Sequence, residues 1–242
     1  MGDRRARTFA SRLAVLTLLT IAGSAPLAAQ GRGLDPIRGR LGIGADLALP
    51  VGQFHEYVDN GGGVRAFGLL ALDPYGIFGL RLDASYVVYG HQSRVVPLSP
   101  TVPLIDVRVN TDNQIVFGSF GPQITFPIGP VRPFLRGGLG VSYFVTTSSV
   151  KGTSNTSSFA QTTNFHDTRL ALEGGGGLWI HLGGSRTPID LSLEATYVHN
   201  GRTRYLRKES IVEQPDGSVT ITPVRSGANL VTLNLGVVFG IR

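Results

Sequence analysis

The chain has 242 residues and a formal net charge of +6, with 33 Gly, 14 Pro, no Cys and a hydrophobic share of 42%. The lack of cysteine excludes a disulfide-stabilised scaffold, and the hydrophobic share disfavours a disordered chain. The Gly and Pro content disfavours a helical protein, and no basic helix that would bind nucleic acid is visible.

The first 29 residues have the pattern of a secretory signal peptide. An apolar run at 13–22 and a small-residue segment at 23–29 follow a basic region that contains Arg4, Arg5, Arg7 and Arg12. The apolar run has about half of the ~20 residues that a spanning helix needs. We therefore expect cleavage after Ala29, a linker at residues 30–39 and one domain at residues 40–242. Residues 1–29 hold four of the 22 basic and one of the 16 acidic residues, so the exported chain carries +3.

Eight later segments alternate apolar and polar residues, as β-strands with one apolar face do. They lie at about 40–50, 63–73, 77–91, 113–126, 131–147, 167–182, 188–199 and 229–242. Short turns join them at 73–76, 127–130 and 183–188, and long polar loops at 51–62, 92–112, 148–166 and 200–228. Short turns at one end and long loops at the other predict an all-β, eight-stranded antiparallel up-and-down barrel.

The apolar face of each predicted strand points either into a soluble barrel of the lipocalin type or out into lipid. The positions of the aromatic residues on that face favour lipid. One set lies at the short-turn end, namely Phe78, Phe126 and Phe239, and the other at the loop end, namely Tyr86, Tyr143 and Tyr197. Two such girdles around an aliphatic band predict a transmembrane barrel with short periplasmic turns and long extracellular loops.

The opposite, polar face carries charges of both signs. We expect these side chains to form ion pairs inside the barrel: Asp46, Arg65, Arg81, Asp83, Arg132, Arg136, Arg169, Glu173, Asp190 and Glu194. Many Gly residues share the face and leave room for long side chains, because eight strands enclose space for little more than side chains. Trp179 falls on the same face, and we expect it to plug the barrel floor.

The chain resembles the small bacterial outer-membrane β-barrel family of the OmpA-barrel, OmpX and OmpW type. The resemblance lies in the signal peptide, in Leu49–Phe54, in Arg132–Val141 and in the final strand. It implies a location in the outer membrane of a Gram-negative cell, with outer-membrane lipid, lipopolysaccharide and the barrel-assembly machinery as partners. Family members usually end on an aromatic residue, whereas the last one here is Phe239, so assembly is expected to use Phe239 or a variant signal.

Candidate chemistry is sparse. His91 and Ser93 share one strand face at the loop end, as a nucleophile and its base would, but no acid that would orient the imidazole is evident from the sequence. His55, His166, His181 and His199 form no pair with metal-ligand spacing, so no metal or cofactor is predicted. A basic cluster above the seventh strand is a candidate lipopolysaccharide contact: Arg202, Arg204, Arg207 and Lys208.

Three functions remain open. The first is a non-enzymatic, monomeric barrel with a packed, charge-balanced interior and a surface-interaction or envelope-integrity role in its loops. The second is a narrow OmpW-like channel or carrier for small hydrophobic molecules, which needs an apolar lumen near the loops. Inner-face residues leave the second open, namely Phe67, Leu69, Phe117, Phe134, Phe144 and Trp179. The third is an outer-leaflet lipid-modifying enzyme that uses His91 and Ser93.

Overall fold

The computed structural model describes residues 38–97, 106–152, 158–184, 187–206, 210–213 and 219–241. The predicted signal peptide and all but two residues of the predicted linker lie outside this part of the chain. Within it, no helix combines the length and the apolar character that crossing a membrane requires.

The described residues form a closed antiparallel barrel of eight strands, which confirms the predicted fold. The barrel strands are, in chain order, β1 (Gly39–Pro50), β2 (Gly61–Ala71), β3 (Phe78–Pro97), β4 (Asp106–Thr125), β5 (Val131–Gly152), β6 (Ser158–Gly183), β7 (Ile189–His199) and β12 (Leu230–Ile241). Four short strands between β7 and β12 lie outside the barrel: β8 (Arg202–Tyr205), β9 (Ile211–Glu213), β10 (Val219–Ile221) and β11 (Val224–Gly227). Each barrel strand pairs with its sequence neighbour in the barrel, and β12 closes the barrel against β1.

The alternation in the sequence sets the register, because a slip of one residue would turn every apolar side chain into the lumen. Leu41 pairs with Phe239 and Asp46 pairs with Asn234 across the closing seam. The first of these pairs faces outward and is exposed, whereas the second faces inward and is buried. The closure of the sheet leaves no free edge along the seam.

The turn between β2 and β3 is held by its first residue. The backbone N–H groups of Tyr75 and Phe78 donate to the Asp73 carboxylate at 2.9 and 2.6 Å, and Gly76 has the positive φ of 65° that the turn requires. Desolvation acts to raise the pKa of Asp73, but the backbone N–H donors outweigh it and the pKa lies below its ordinary value. The Asp73 carboxylate thus caps the predicted tight turn.

Four strands are longer than predicted, and two of the predicted loops are largely sheet. In the predicted loop 92–112, β3 continues to Pro97 and β4 begins at Asp106. In the predicted loop 148–166, β5 continues to Gly152 and β6 begins at Ser158. We call residues 91–97, 106–112, 147–152 and 158–166 the projection. The outward residues of the projection are mostly polar, so these segments lack the apolar alternation that indicates a strand in the sequence. Their Thr and Val residues favour the extended conformation, and the pairing between strands continues through them. The projection adds roughly 20 Å of strand length beyond the apolar band.

The other two predicted loops also contain structure. The connection 51–62 holds a one-turn 3-10 helix (Gly52–Glu56). Within 200–228, β8 pairs with β11 and β9 pairs with β10 in two small antiparallel sheets. A short 3-10 turn has no long apolar stripe, which explains why the sequence pattern does not reveal it. The 3-10 helix and β8 pack over the loop end of the barrel through Phe54 and Tyr205.

Candidate functional site

The outside of the barrel is an apolar band. Large hydrophobic side chains point outward on every barrel strand; among those at least half exposed are Leu41, Ile43, Val64, Leu70, Leu82, Phe120, Leu135, Leu139, Leu172 and Leu235. The six predicted girdle residues also point outward, with Phe78, Phe126 and Phe239 toward the short turns and Tyr86, Tyr143 and Tyr197 toward the loops. A continuous apolar surface of this extent is far larger than soluble monomers expose, and it requires lipid.

The middle of the lumen is filled by a buried network of three arginines and four carboxylates: Arg65, Arg81, Arg136, Asp46, Asp83, Glu173 and Glu194. Glu194 is its centre. It lies 2.6 Å from Arg136 Nε, 2.9 Å from Arg81 Nη2 and 3.3 Å from Arg65 Nη1. All three arginines and their partners are almost completely buried. The network therefore crosses the lumen from several strands at one level.

The remaining bonds in the network fix the orientation of each guanidinium group. Arg81 binds Asp83 with two parallel bonds, from Nε at 2.9 Å and from Nη2 at 2.8 Å. Arg65 donates to Asp46 at 3.1 Å, and Arg136 forms an ion pair with Glu173. Charge-assisted, bidentate pairs of this kind are among the stronger hydrogen bonds in proteins.

An aromatic layer lies beneath the network. Trp179 is fully buried, stacked on Phe67 at 6.3 Å between ring centres and tilted against Phe134 at 4.9 Å. Arg81 of the network lies 3.7 Å above the centre of the Phe67 ring, so the two layers are in direct contact. Trp179 thus closes the lumen toward the short-turn end of the barrel.

A second group of charges lies below Trp179, around Asp190. Asp190 is fully buried, forms ion pairs with Arg40 and with Arg132, the latter at 3.6 Å, and lies 2.9 Å from His181 Nδ1. Arg40 is absent from the set predicted from the sequence, because it stands at the very start of the first strand. The fold brings it to Asp190, 150 positions later in the chain.

Arg169 differs from the other predicted interior charges. Its side chain is 37% exposed at the loop end of β6, where it donates to Asp167 at 3.0 Å. Asp167 also accepts from the Thr203 hydroxyl at 3.0 Å and the Arg204 backbone N–H at 2.8 Å. Arg169 therefore helps to hold β8 over the barrel through Asp167. The fifth arginine of the lumen is Arg40 and not Arg169.

Above the network lies a buried apolar cluster, which an aromatic plug closes. Phe54 of the 3-10 helix is 1% exposed, with its ring centre 5.0 Å from Tyr205, 5.7 Å from Tyr89 and 6.5 Å from Phe144. Between this plug and Arg65 lies a cavity of about 10 Å³. One water needs ~10–15 Å³, so the cavity is not a passage.

One histidine on the outer face of the projection has an acidic partner. His91 Nδ1 lies 2.6 Å from Asp112 Oδ1, and the two residues are direct partners in the β3–β4 register. The sequence alone does not make this acid evident, because the pairing of β3 with β4 brings together residues 21 positions apart. Ser93 lies two residues along the same strand and is also exposed. Among the described residues no group of His, Asp or Glu has the arrangement of a metal site.

The predicted basic cluster is partly described and gains one member. Arg202 and Arg204 lie on the exposed face of β8, and Arg204 stands directly opposite the exposed Arg225 of β11. Arg207 and Lys208 lie outside the described residues. Like charges directly opposite each other destabilise a pair of strands.

No family model matches the chain, and no curated protein matches it. Several solved structures are similar to it. Ail, the attachment invasion locus protein of Yersinia pestis, is 16% identical with a TM-score of 0.42, over 84% of this chain and 97% of Ail. A major outer membrane protein from Thermus thermophilus is 13% identical with a TM-score of 0.45, over 84% and 99%. Neisserial surface protein A is 14% identical with a TM-score of 0.38, over 84% and 96%.

The exterior and the interior together decide what kind of protein this is. The closed sheet satisfies its backbone hydrogen bonds internally, the outer face is apolar, and the charges are inside. In lipid only such a closed structure is viable for strands, and an even number of antiparallel strands with short turns at one end is the architecture of outer-membrane barrels. The chain is an eight-stranded outer-membrane β-barrel protein.

Proposed function

We propose that this protein is a closed, non-enzymatic outer-membrane barrel that acts through its extracellular part, by surface interaction or by maintaining envelope integrity. The observation that carries the proposal is the filled lumen: aromatic floor, ion-pair network and Phe54 plug follow one another along the barrel axis. A lumen filled in this way serves to hold the barrel rigid. The parts that remain available for contact with other molecules are the projection and the β8–β11 sheet.

Shortening the projection tests this role. Replacing 93–110 and 149–161 by two-residue turns retains the strand pairs Gln92 with Thr111 and Ser148 with Thr162, so the membrane barrel keeps its register. We expect the shortened protein to retain the mobility shift between boiled and unboiled samples on gels. It should fail to restore detergent resistance or surface binding to a strain that lacks the gene. Full restoration by the shortened protein would contradict the proposal.

Lipopolysaccharide phosphate is the proposed partner of the exposed arginines on the β8–β11 sheet. Guanidinium groups bind phosphate through charge-assisted bonds, and Arg202, Arg204 and Arg225 all point to solvent at the loop end. Changing all three to Gln should weaken binding to vesicles that contain lipopolysaccharide and should leave binding to dephosphorylated lipopolysaccharide unchanged. Arg94→Gln, on the projection, is the matched control. Equal loss on both lipids would contradict a phosphate contact.

The channel alternative requires a path that the packing does not offer. A carrier for small hydrophobic molecules would have to move Phe54 out of the apolar upper lumen, and a continuous conduit would also have to part Glu194 from its three arginines. The apolar cluster in the upper lumen meets the requirement of the carrier hypothesis for apolar surface near the loops. The ion-pair network below it argues against passage through the barrel.

The pair of His91 and Asp112 gives specific support to one second candidate, an ester-hydrolysing activity on outer-leaflet lipid. A carboxylate at Nδ1 orients an imidazole so that Nε2 can accept a proton from a serine hydroxyl. Ser93 is the serine on the same face. Comparing lipid A from strains that carry the wild type or His91→Ala decides the matter: the non-enzymatic proposal expects identical lipid A, and a loss of deacylated lipid A in the variant would contradict it.

A further inference from the structure

The short-turn end of the barrel contains a cavity that the closed lumen above it does not use. Its volume is about 130 Å³, roughly ten times what one water needs. Two arginines line it, Arg40 from the start of β1 and Arg132 from the start of β5, together with Tyr75 of the first turn and Thr125 at the end of β4. The cavity lies below the Trp179 layer.

The charges around the cavity do not balance. Arg40 and Arg132 share one carboxylate, that of Asp190, whose second oxygen is occupied by His181 at 2.9 Å. Arg132 Nη1 is buried and has no hydrogen-bond acceptor among the described residues, since Asp190 lies 3.6 Å away. A buried donor on a charged group destabilises the structure while it is unsatisfied. A second anion would meet this need.

We propose that this cavity binds a small anionic group, a single carboxylate or phosphate, on the guanidinium groups of Arg132 and Arg40. Arginine presents a planar pair of N–H donors that matches both groups. Tyr75 is 79% exposed at the rim, so its hydroxyl is available to a ligand that enters from the short-turn side. The mainly apolar remainder of the lining, Leu69, Ala71, Pro74 and Pro127, suits a short carbon chain behind the anionic group.

The protein contains its own reporter for this site. Trp179 is the only tryptophan of the chain, and the Arg40 guanidinium carbon lies 4.7 Å from the centre of its ring. An anion that draws Arg40 or Arg132 into the cavity changes the field at the indole. Titration of the refolded, full barrel with acetate or inorganic phosphate, at constant ionic strength against chloride, should give a saturable change in emission.

Two variants separate the site from a general salt effect. Arg132→Gln should weaken binding at least tenfold, and the matched control Arg94→Gln at the far end should bind as the wild type does. Ala71→Leu fills the cavity and keeps both arginines, so it should cause a similar loss even if Arg132→Gln fails to fold. The mobility shift on unboiled gels verifies folding. A response no larger than that to chloride, or unchanged binding by folded Arg132→Gln or Ala71→Leu, would overturn the proposal.

A peptide pair distinguishes the sources of the anionic group. Trialanine with a free carboxyl end and its amide differ only in the charge. If the free peptide binds and the amide does not, the site takes the carboxyl end of a chain. If acetate or phosphate binds and neither peptide does, the site takes a free small ion. Binding of the amide as tightly as the acid would contradict recognition of the anionic group.

Discussion

Arg136 on β5 and Glu194 on β7 are joined at 2.6 Å although β6 lies between their strands. The residues of β6 that stand opposite them in the sheet are Gly175 and Gly177. A side chain at either position would meet neighbouring backbone, since an added Cβ would lie 2.4 Å from the Ala195 carbonyl or 2.2 Å from the Leu193 carbonyl. Glycine at these two inner-face positions thus allows the backbones of β6 and β7 to approach closely beneath the ion pair.

Glu194→Gln should be among the most destabilising single changes in the lumen. It removes the charge that three arginines share and leaves each of these buried guanidinium groups without one of its ion-pair partners. Loss of one partner of a buried pair typically costs about 3–5 kcal/mol. Urea unfolding from lipid vesicles, followed by Trp179 emission, measures the effect. Glu56→Gln, on the exposed side of the 3-10 helix, is the control, and equal midpoints for the two variants would refute the central role of Glu194.

Gly177→Ala should destabilise the barrel while Gly174→Ala should not. The methyl group at 177 would lie 2.2 Å from the Leu193 carbonyl and 2.8 Å from the Phe134 ring, whereas nothing lies within 4 Å of one at 174. Overpacking of this kind typically costs about 1–3 kcal/mol. The temperature at which the unboiled gel band converts to the unfolded one compares the two variants. A lower temperature for Gly174→Ala than for Gly177→Ala would show that the inner face is not the constrained one.

Leu139→Lys tests whether the outer face meets lipid. Leu139 is 70% exposed in the middle of the β5 band, and a lysine at the bilayer midplane costs about 2–4 kcal/mol in a barrel. Gln161→Lys lies on the exposed surface of the projection and should cost nothing measurable. Unfolding from lipid vesicles gives both values. A lysine at 139 that is tolerated as well as one at 161 would place this face in water.

Phe54→Ala should loosen the plug and leave the barrel intact. The ring packs on Tyr89, Phe144 and Tyr205, so its removal frees the 3-10 helix from the lumen. Chymotrypsin should then cut after Tyr57 at least tenfold faster, while the heat-dependent gel shift remains. His55→Ala, exposed on the same helix, should be cut at the wild-type rate. Loss of the gel shift in Phe54→Ala would mean that the plug is part of the barrel's own stability.

The sequence pattern predicts the eight strands because lipid on one side and packed charge on the other force strict alternation. It does not predict the projection, since outside the membrane both faces of a strand are wet and Ser93, Asn110 and Gln161 interrupt the apolar pattern. The pattern does not identify Arg40 as an interior charge, because Arg40 stands at the edge of an alternating segment. The pairing of His91 with Asp112 depends on the register between β3 and β4, and the alternation within each strand does not determine that register.

The packed lumen is the central claim, and single-channel recording in planar bilayers tests it most directly. The ion-pair network around Glu194 and the Phe54 plug predict no steady conductance steps from the folded wild-type protein. Steady, reproducible conductance steps would contradict a closed interior and would favour the channel hypothesis.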